Sequence, residues 1–187
     1  MQRKSLILLA SAVSAALLSG SSLAFAQAPS LGSAQSFAVL GGSTVTDAGA
    51  SIVTGDLGVS PGTAITGFPA GTVFHAGDAV ALQAQSDLTT AYNALAGAAH
   101  TAVLTGQDLG GRTLTPGVYF FAASAPLNGA LILDAQGNPN AVFTFQIGST
   151  LLAAIGSSVQ VINGSQPGNV FWQVGSSATL GDRKSVV

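Results

Sequence analysis

Cysteine is absent from this sequence of 187 residues, which excludes disulfide bonds as a source of stability. The fold must therefore be stabilised by side-chain packing and by backbone hydrogen bonds. The length is enough for one domain with a sizeable core.

Charge is the second scarcity, because only 6% of the residues are charged and glutamate is absent. Between Gln27 and Gly181 the single basic residue is Arg112, against six aspartates, so this segment has a net charge of −5. Nucleic acid and anionic membrane are therefore poor candidate partners, since both are bound through clustered lysine and arginine. Some solvent-facing surfaces must instead consist of Ser, Thr, Ala and Gly. The aspartates are Asp47, Asp56, Asp78, Asp87, Asp108 and Asp134.

Long apolar runs are missing except at the N-terminus. Two basic residues precede the apolar segment 6–18, and the small-residue pattern Ala-Phe-Ala ends at Ala26. This order is typical of a secretory signal peptide. We predict a signal peptide over residues 1–26, cleaved after Ala26, and a mature domain over residues 27–181. A membrane anchor is the alternative, but the run falls short of the roughly 20 residues that a spanning helix needs.

Glycine and proline are both absent from residues 78–96, where the pattern predicts one long helix. Asp78 is placed to cap its N-terminus and Gly97 to end it. Apolar residues recur at steps of three or four on one side, and polar residues occupy the opposite side. The apolar stripe is Ala81, Ala84, Leu88, Tyr92 and Leu95, and the polar side is Gln83, Ser86, Asp87, Thr90 and Asn93.

The remaining sequence alternates short β-forming segments, rich in Val, Ile, Phe and Thr, with turn-forming residues. Turn signals include Gly41-Gly42, Asn128-Gly129 and Asn163-Gly164. The predicted strands span residues 36–40, 51–54, 117–121, 130–133, 141–147, 158–162 and 169–174.

A weak internal repeat indicates how these strands are arranged. The segments SFAVLGGSTVTDAGASIVTGD, TFQIGSTLLAAIGSSVQVINGS and FWQVGSSATLG each contain an apolar strand, a Gly-Ser step and a second short strand. The first two continue through a glycine turn into a third strand. Three strands in roughly 20 to 30 residues predict a β-solenoid of triangular cross-section with the helix packed alongside. A β-sandwich, with tight hairpins and less self-similarity, is the alternative.

In a solenoid, strand alternation separates core-facing from outward positions in the Ser/Thr-containing strands. Val45, Leu151 and Ala178 fall at core-facing positions. The outward positions are uncharged and, apart from one leucine, hydroxylated. Because coils stack about 4.8 Å apart, these residues would form regular, rigid columns. They are Thr44, Thr46, Thr150, Leu152, Ser177 and Thr179.

Residues that could carry out catalysis or bind a metal are few and scattered. His75 and His100 flank the helix without a nearby Cys or Glu, and we interpret His75 as structural and His100 as exposed. A carboxylate pair such as Asp56 and Asp108, as in glycosidases, is the enzymatic alternative, which nothing in the sequence favours. No aspartate spacing indicates calcium. We predict a protein that is not an enzyme and binds no metal or cofactor.

Three segments, GDLGVSPG, LTPGVY and NVFWQVGSSATLG, resemble the microbial ice-binding proteins, which are β-solenoids flanked by one long helix. The resemblance extends nearly continuously over residues 31–181. It implies a secreted, right-handed, irregular β-helix that binds ice through one flat face and limits recrystallisation. An ice surface offers neither charge nor a pocket, so a flat, rigid array of methyl and hydroxyl groups suits it.

The family's ice face can be transferred to this sequence residue by residue. Leu152 stands where family members commonly have threonine, which weakens the expected binding. We expect an extracellular monomer whose partner is the ice crystal surface. A cell-surface adhesin or an extracellular matrix protein, using the solenoid as a rigid spacer, is the alternative. The transferred positions are Ser43, Thr44, Thr46, Thr150, Ser177 and Thr179.

The last six residues, DRKSVV, depart from this pattern. Half of them are charged, in a sequence otherwise nearly free of charge. The coils of the resembled family continue beyond the position of Gly181. We therefore interpret residues 182–187 as a non-native tail and the solenoid domain, residues 27–181, as incomplete at its C-terminus.

Overall fold

The structure, a computed structural model, describes residues 26–49, 51–68, 73–164 and 166–181. The predicted tail and all of the predicted signal peptide except Ala26 lie outside the described residues. Within the described ranges the fold is mainly β, with fifteen short strands, the helix α1 (Ala79–Ala96) and two 3-10 segments, Gly32–Ser36 and Pro167–Asn169. The strands are β1 (Phe37–Gly41), β2 (Thr44–Thr46), β3 (Asp56–Val59), β4 (Ala64–Thr66), β5 (Phe74–Ala76), β6 (Ala102–Val103), β7 (Thr113–Leu114), β8 (Gly117–Phe121), β9 (Ala125–Leu127), β10 (Ala130–Asp134), β11 (Phe143–Ile147), β12 (Thr150–Ala153), β13 (Ser158–Ile162), β14 (Val170–Val174) and β15 (Ser177–Leu180).

All strand pairs in the described residues are parallel, which confirms the solenoid and shows that the sandwich alternative is wrong. The strands form two stacks of coils. The first stack contains the sheets β1-β3-β5 and β2-β4. The second contains three sheets, β7-β10-β13, β6-β8-β11-β14 and β9-β12-β15, which form the three sides of a triangle.

The helix α1 connects the two stacks and contacts both of them. It touches β1, β3 and β5 of the first stack and β11 and β14 of the second. The chain forms the first stack from β1 to β5, continues along α1, and forms the second stack from β6 to β15. The helix predicted to pack alongside the solenoid therefore spans both stacks.

The helix prediction is confirmed within one residue. The Asp78 carboxylate accepts a hydrogen bond from the backbone N–H of Ala81, as an N-cap should, and Gly97 is the C-cap. The predicted stripe is wrong at one position, because Ala91 is buried whereas Tyr92 is 37% exposed. The Tyr92 ring instead lies at the margin of the contact, where its hydroxyl reaches a carbonyl of the solenoid.

The polar side of α1 also differs from the prediction at Asp87. Its carboxylate accepts hydrogen bonds from the N–H and the hydroxyl of Ser33, at 2.8 and 2.6 Å. The 3-10 segment before β1 packs against this side of the helix. These hydrogen bonds, led by the one from the Ser33 hydroxyl, hold the pKa of Asp87 below its ordinary value.

Six of the seven predicted strands are present, with ends shifted by at most two residues. The strand predicted over residues 51–54 is absent, and this segment has no regular secondary structure. The Asp47 carboxylate accepts hydrogen bonds from the N–H of Gly49 and from the N–H and hydroxyl of Ser51. These bonds close a turn after β2, and local hydrogen bonds to a side chain thereby replace the strand pairing that was predicted for this segment.

The core of the second stack is a column of large side chains. Phe121, Phe143 and Phe145 are fully buried, together with Leu131 and Leu133. The Phe145 ring stacks between the rings of Tyr119 and Trp172 from the coils on either side, with centroid distances of 5.6 and 4.1 Å. These three coils are therefore held together by ring stacking as well as by backbone hydrogen bonds.

The turns of the second stack are also tied together from coil to coil. The N–H and side-chain amide of Asn128 donate to the Asp108 carboxylate at 3.0 and 2.6 Å. One corner further on, the side-chain amide of Asn163 donates to Asp134 at 2.8 Å. Desolvation raises the pKa of Asp108, but the hydrogen bonds from Asn128 and Gly110 outweigh it, and the pKa is lowered. The bond from Asn163, followed by the one from the N–H of Gln136, lowers the pKa of Asp134.

Acid is expected to destabilise the domain through these aspartates. A carboxyl group whose pKa is lower in the folded chain stabilises it above the unfolded value of about 3.9, and this stabilisation is lost as the pH falls through the folded value. We expect a nearly constant melting temperature between about pH 7 and 5 and a fall below about pH 4. Thermal unfolding followed by circular dichroism measures this. Asp134→Asn should lower the melting temperature at pH 6 and flatten its fall in acid. A melting temperature in strong acid equal to that at pH 7 would contradict the prediction.

Candidate functional site

The first group of outward hydroxyls lies on the sheet β2-β4. Parallel pairing sets Thr44 beside Ala64 and Thr46 beside Thr66, with Val45 and Ile65 between them. Thr44 and Thr46 are exposed and Val45 is half-buried, as alternation predicts. The hydroxyl of Thr66 donates to that of Thr46 at 3.3 Å. We call the outward residues Thr44, Thr46, Ala64 and Thr66 the first array.

The second group lies on the sheet β9-β12-β15. Thr150 pairs with Ser177, and their hydroxyl oxygens are 3.3 Å apart. Leu152 lies between Pro126 and Thr179 on the adjacent strands and is 45% exposed. We call the outward residues Pro126, Thr150, Leu152, Ser177 and Thr179 the second array.

Alternation within the second array follows the prediction. Leu151 and Ala153 are buried, between outward-facing neighbours. Ala178 is exposed although it pairs with Leu151, because in the described part of the sheet β15 is the outermost strand. It lines an open apolar cavity of about 380 Å³ at the end of the second stack, beside Trp172 and Leu180.

The structure places five of the six predicted site residues in these two arrays. Thr44 and Thr46 lie in the first array, whereas Thr150, Ser177 and Thr179 lie in the second. Ser43 is exposed but lies in the bend before β2, outside the strand. A Cβ atom on Gly62 would lie 1.9 Å from the Ser43 carbonyl oxygen, so the next coil approaches this bend closely only because residue 62 is glycine. The role of the six predicted residues in ice binding stays a prediction.

Sequence reasoning missed three outward neighbours, Ala64, Thr66 and Pro126. Thr66 was detectable, because the segment AIT follows TVT after twenty residues, close to the length of one predicted coil. Pro126 was not, since a proline within a strand normally argues against the strand. Its missing N–H is compatible with its place in the short strand β9.

Both arrays consist entirely of uncharged residues, and the titratable groups lie elsewhere. His75 contacts the Asp78 carboxylate at 2.8 Å and packs against the Phe37 ring. The bond from the N–H of Ala81, and then the one from His75, lower the pKa of Asp78. His100 follows the end of α1 and is exposed, as predicted. Its ring stacks on that of Phe120 with a centroid distance of 5.1 Å.

Elsewhere in the described residues, side chains that could carry out catalysis or bind a metal do not cluster. Asp56 begins β3 in the first stack, whereas Asp108 lies in a turn of the second stack, where hydrogen bonds to Asn128 and Gly110 occupy its carboxylate. Across the described ranges, no three His, Cys, Asp or Glu side chains come close enough together to hold a metal ion. Within the same ranges, α1 and the shorter helical segments do not meet the length and hydropathy that a bilayer-crossing helix needs.

The sequence comparisons point in one direction. A sequence model of the ice-binding-like family matches residues 39–187. An ice-binding protein of Nostoc sp. (strain HG1) is 59% identical over 155 residues, which cover 81% of this chain and 57% of that protein. The ice-binding protein K3-B1 of Typhula ishikariensis is 32% identical over 193 residues, covering 90% of this chain and 79% of that protein. The chain thus spans just over half the length of the Nostoc relative.

Solved structures give the same result. An ice-binding protein from an Antarctic biological consortium superposes with a TM-score of 0.82 at 40% identity, over 97% of this chain and 79% of that one. The ice-binding protein of the Antarctic ascomycete Antarctomyces psychrotrophicus superposes with a TM-score of 0.79 at 39% identity, over 84% of this chain and 79% of that one.

Proposed function

Because the chain belongs to the ice-binding-like family, we propose that it adsorbs to ice crystals through the first and second arrays. One observation carries the proposal. Both arrays consist of uncharged side chains that are held in register on parallel strands and point away from the core. A surface of this kind offers no charged group to a soluble ionic ligand, but it suits a partner that is itself flat and periodic.

The chemistry of the arrays fits the chemistry of ice. Ice presents a lattice of water molecules without net charge, and threonine offers it one methyl and one hydroxyl group on a side chain that is stiff at χ1. Hydrogen bonds between neighbouring hydroxyls, such as Thr46 with Thr66 and Thr150 with Ser177, restrict their rotation further. Little conformational entropy is then left to lose on adsorption.

Rigidity below the arrays supports the same function. The strand on which Thr150 lies is backed by a core, because Leu151 and Ala153 on its inner side belong to the same buried cluster as Tyr119 and Phe145. A surface held in place by a close-packed core keeps its spacing when it meets the crystal. Each contact with ice is weak, so a fixed spacing lets many contacts form together.

We further propose that the protein acts outside the cell as a monomer and limits the recrystallisation of ice. The predicted signal peptide and the low charge support secretion and a role in which the ice surface is the sole partner. The proposal requires no cofactor.

The direct test is an ice recrystallisation assay on the purified mature chain. We expect inhibition at micromolar concentration, with circular dichroism showing the β-rich fold. A folded protein that leaves crystal growth unchanged at that concentration contradicts the proposal. That result would favour the alternative of an adhesin or matrix spacer with the same solenoid.

Leu152→Thr is expected to strengthen ice binding. The change places a hydroxyl and a methyl group between Pro126 and Thr179 and removes a bulky side chain from the second array. One added hydrogen bond contributes about 1 kcal/mol, so we expect an effective concentration about fivefold lower. The same recrystallisation assay measures it.

Leu82→Thr is the matched control, because Leu82 lies on α1, outside both arrays, and is 61% exposed. It should leave the effective concentration unchanged. If Leu152→Thr weakens the activity while the control does not, the leucine itself contributes to the contact with ice.

A further inference from the structure

The two arrays belong to different stacks, and something must fix their relative position if one crystal surface is to meet both. In the described residues, β1 and β14 belong to separate sheets and are not paired with each other. The helix α1, by contrast, touches both strands. The contacts of α1 with these two strands can therefore set the spacing between the two arrays.

Two side chains of α1 donate hydrogen bonds to backbone carbonyls of the solenoid. The side-chain amide of Gln85 donates to the Gly41 carbonyl at 2.7 Å, and the Tyr92 hydroxyl donates to the Val174 carbonyl at 3.3 Å. Gly41 is the last residue of β1, and Val174 is the last residue of β14. The array strand begins three residues later in both coils, at Thr44 and at Ser177. The two carbonyls thus occupy the same position in their coils, at the corner before the array.

The spacing of the two donors matches the spacing of coils. Seven residues separate Gln85 from Tyr92, which is two helical turns and about 10.5 Å along the axis, on one side of the helix. Two coil steps measure about 9.6 Å. The second stack shows the same correspondence. The side-chain amide of Gln146 on β11, one strand beyond β14, donates to the carbonyl of Leu95, three residues and about 4.5 Å past Tyr92. The helix therefore runs parallel to the stacking direction, in step with the coils.

We propose that Gln85 and Tyr92 are positioning residues that hold the first and second arrays two coil steps apart and in one register. This inference rests on the proposed function, because a fixed spacing matters only if one surface engages both arrays. Two weak binding surfaces on a rigid support act together, since contact at one raises the effective concentration of the other. Without the two hydrogen bonds, the spacing of the arrays would depend on the remaining packing of α1 and on the bonds between Asp87 and Ser33, and we expect it to vary more.

The double variant Gln85→Met, Tyr92→Phe removes both donors and keeps the size of each side chain. Because the chain contains no cysteine, cysteines introduced at Ala76 and Gln160 can be spin-labelled specifically. Both positions are exposed strand residues outside the arrays, one in each stack. Double electron–electron resonance should give one narrow distance distribution in the unsubstituted background and a broader or shifted one in the double variant. Inhibition of recrystallisation should require a concentration about tenfold higher.

Two substitutions provide matched controls. Gln83→Met removes a glutamine amide whose partner, Asp87, is on the same helix, and Tyr119→Phe removes a hydroxyl bond to Thr115 within the second stack. Both should leave the distance distribution and the activity unchanged. Restoring Tyr92 alone in the double variant should narrow the distribution again.

An unchanged distance distribution in the double variant overturns the inference, whatever the recrystallisation assay shows. If the unsubstituted protein fails to inhibit recrystallisation, the proposed function fails, and the distance measurement still tests the positioning of the stacks. A change in distance without loss of activity shows that the arrays act separately and also overturns the inference.

Discussion

Thr150→Tyr is expected to abolish inhibition of ice recrystallisation while the domain stays folded. Thr150 lies on β12, the central strand of its sheet, where it pairs with Ser177 and is half-buried. A tyrosine ring at this position would stand out from the surface by more than the depth of a water layer and hold the rest of the second array away from the crystal. Because the contacts act only together, the loss should exceed tenfold in effective concentration, equivalent to more than about 1.4 kcal/mol.

The stability of the variant separates this effect from unfolding. The Thr150 side chain points outward, so the substitution does not enter the core, and the melting temperature should change little. Thr90→Tyr is the control, because Thr90 is an exposed threonine on α1, outside both arrays, whose hydroxyl donates to the Ser86 carbonyl. It should keep full activity. A Thr150→Tyr protein as active as the control would show that another face meets the ice.

The elements of the fold could be predicted because their signals are local. The helix is marked by the lack of glycine and proline, by the Asp78 cap and by the spacing of its apolar residues, and all three signals act within a few turns. The turns are equally local. Asn163 and Gly164 both have positive φ angles, which few residue types other than Asn and Gly adopt readily.

The division into two stacks could not be predicted, since it depends on contacts between distant residues. Nothing in the sequence near Gly41 or Val174 shows that α1 lies against both. The exchange of Tyr92 for Ala91 in the buried stripe has the same origin. Periodicity gives the side of a helix that is buried, but the width of the neighbouring surface decides which residue at the margin is covered.

Within the candidate site, alternation predicted which side chains point outward but not how the strands combine. Leu151 and Leu152 demonstrate its strength, because the sequence pattern assigns these adjacent leucines to opposite faces and the structure places one in the core and the other in solvent. Alternation could not predict which residues pair across neighbouring coils. The contact of Thr46 with Thr66 joins residues twenty positions apart, and only the register of the parallel strands reveals it.

Phe145→Ala is expected to destabilise the domain far more than the surface substitutions Leu152→Thr and Thr150→Tyr. Phe145 is fully buried, and its ring lies between those of Tyr119 and Trp172. Removal of a buried phenylalanine ring costs about 3 to 5 kcal/mol in the free energy of unfolding, because the cavity left behind only partly closes. Urea denaturation followed by circular dichroism would measure the loss as a lower transition midpoint.

The effect should extend to ice binding even where the variant remains folded, because β12 begins three residues after β11 ends and depends on the same core for its position. A second array without firm backing loses the fixed spacing on which many weak contacts depend. Phe74→Ala is the control, since Phe74 is 42% exposed at the end of the first stack, and its removal should cost much less stability. If Phe145→Ala lowers the transition midpoint but leaves recrystallisation inhibition intact at a temperature where the variant is folded, rigidity of the core is not what makes the array effective.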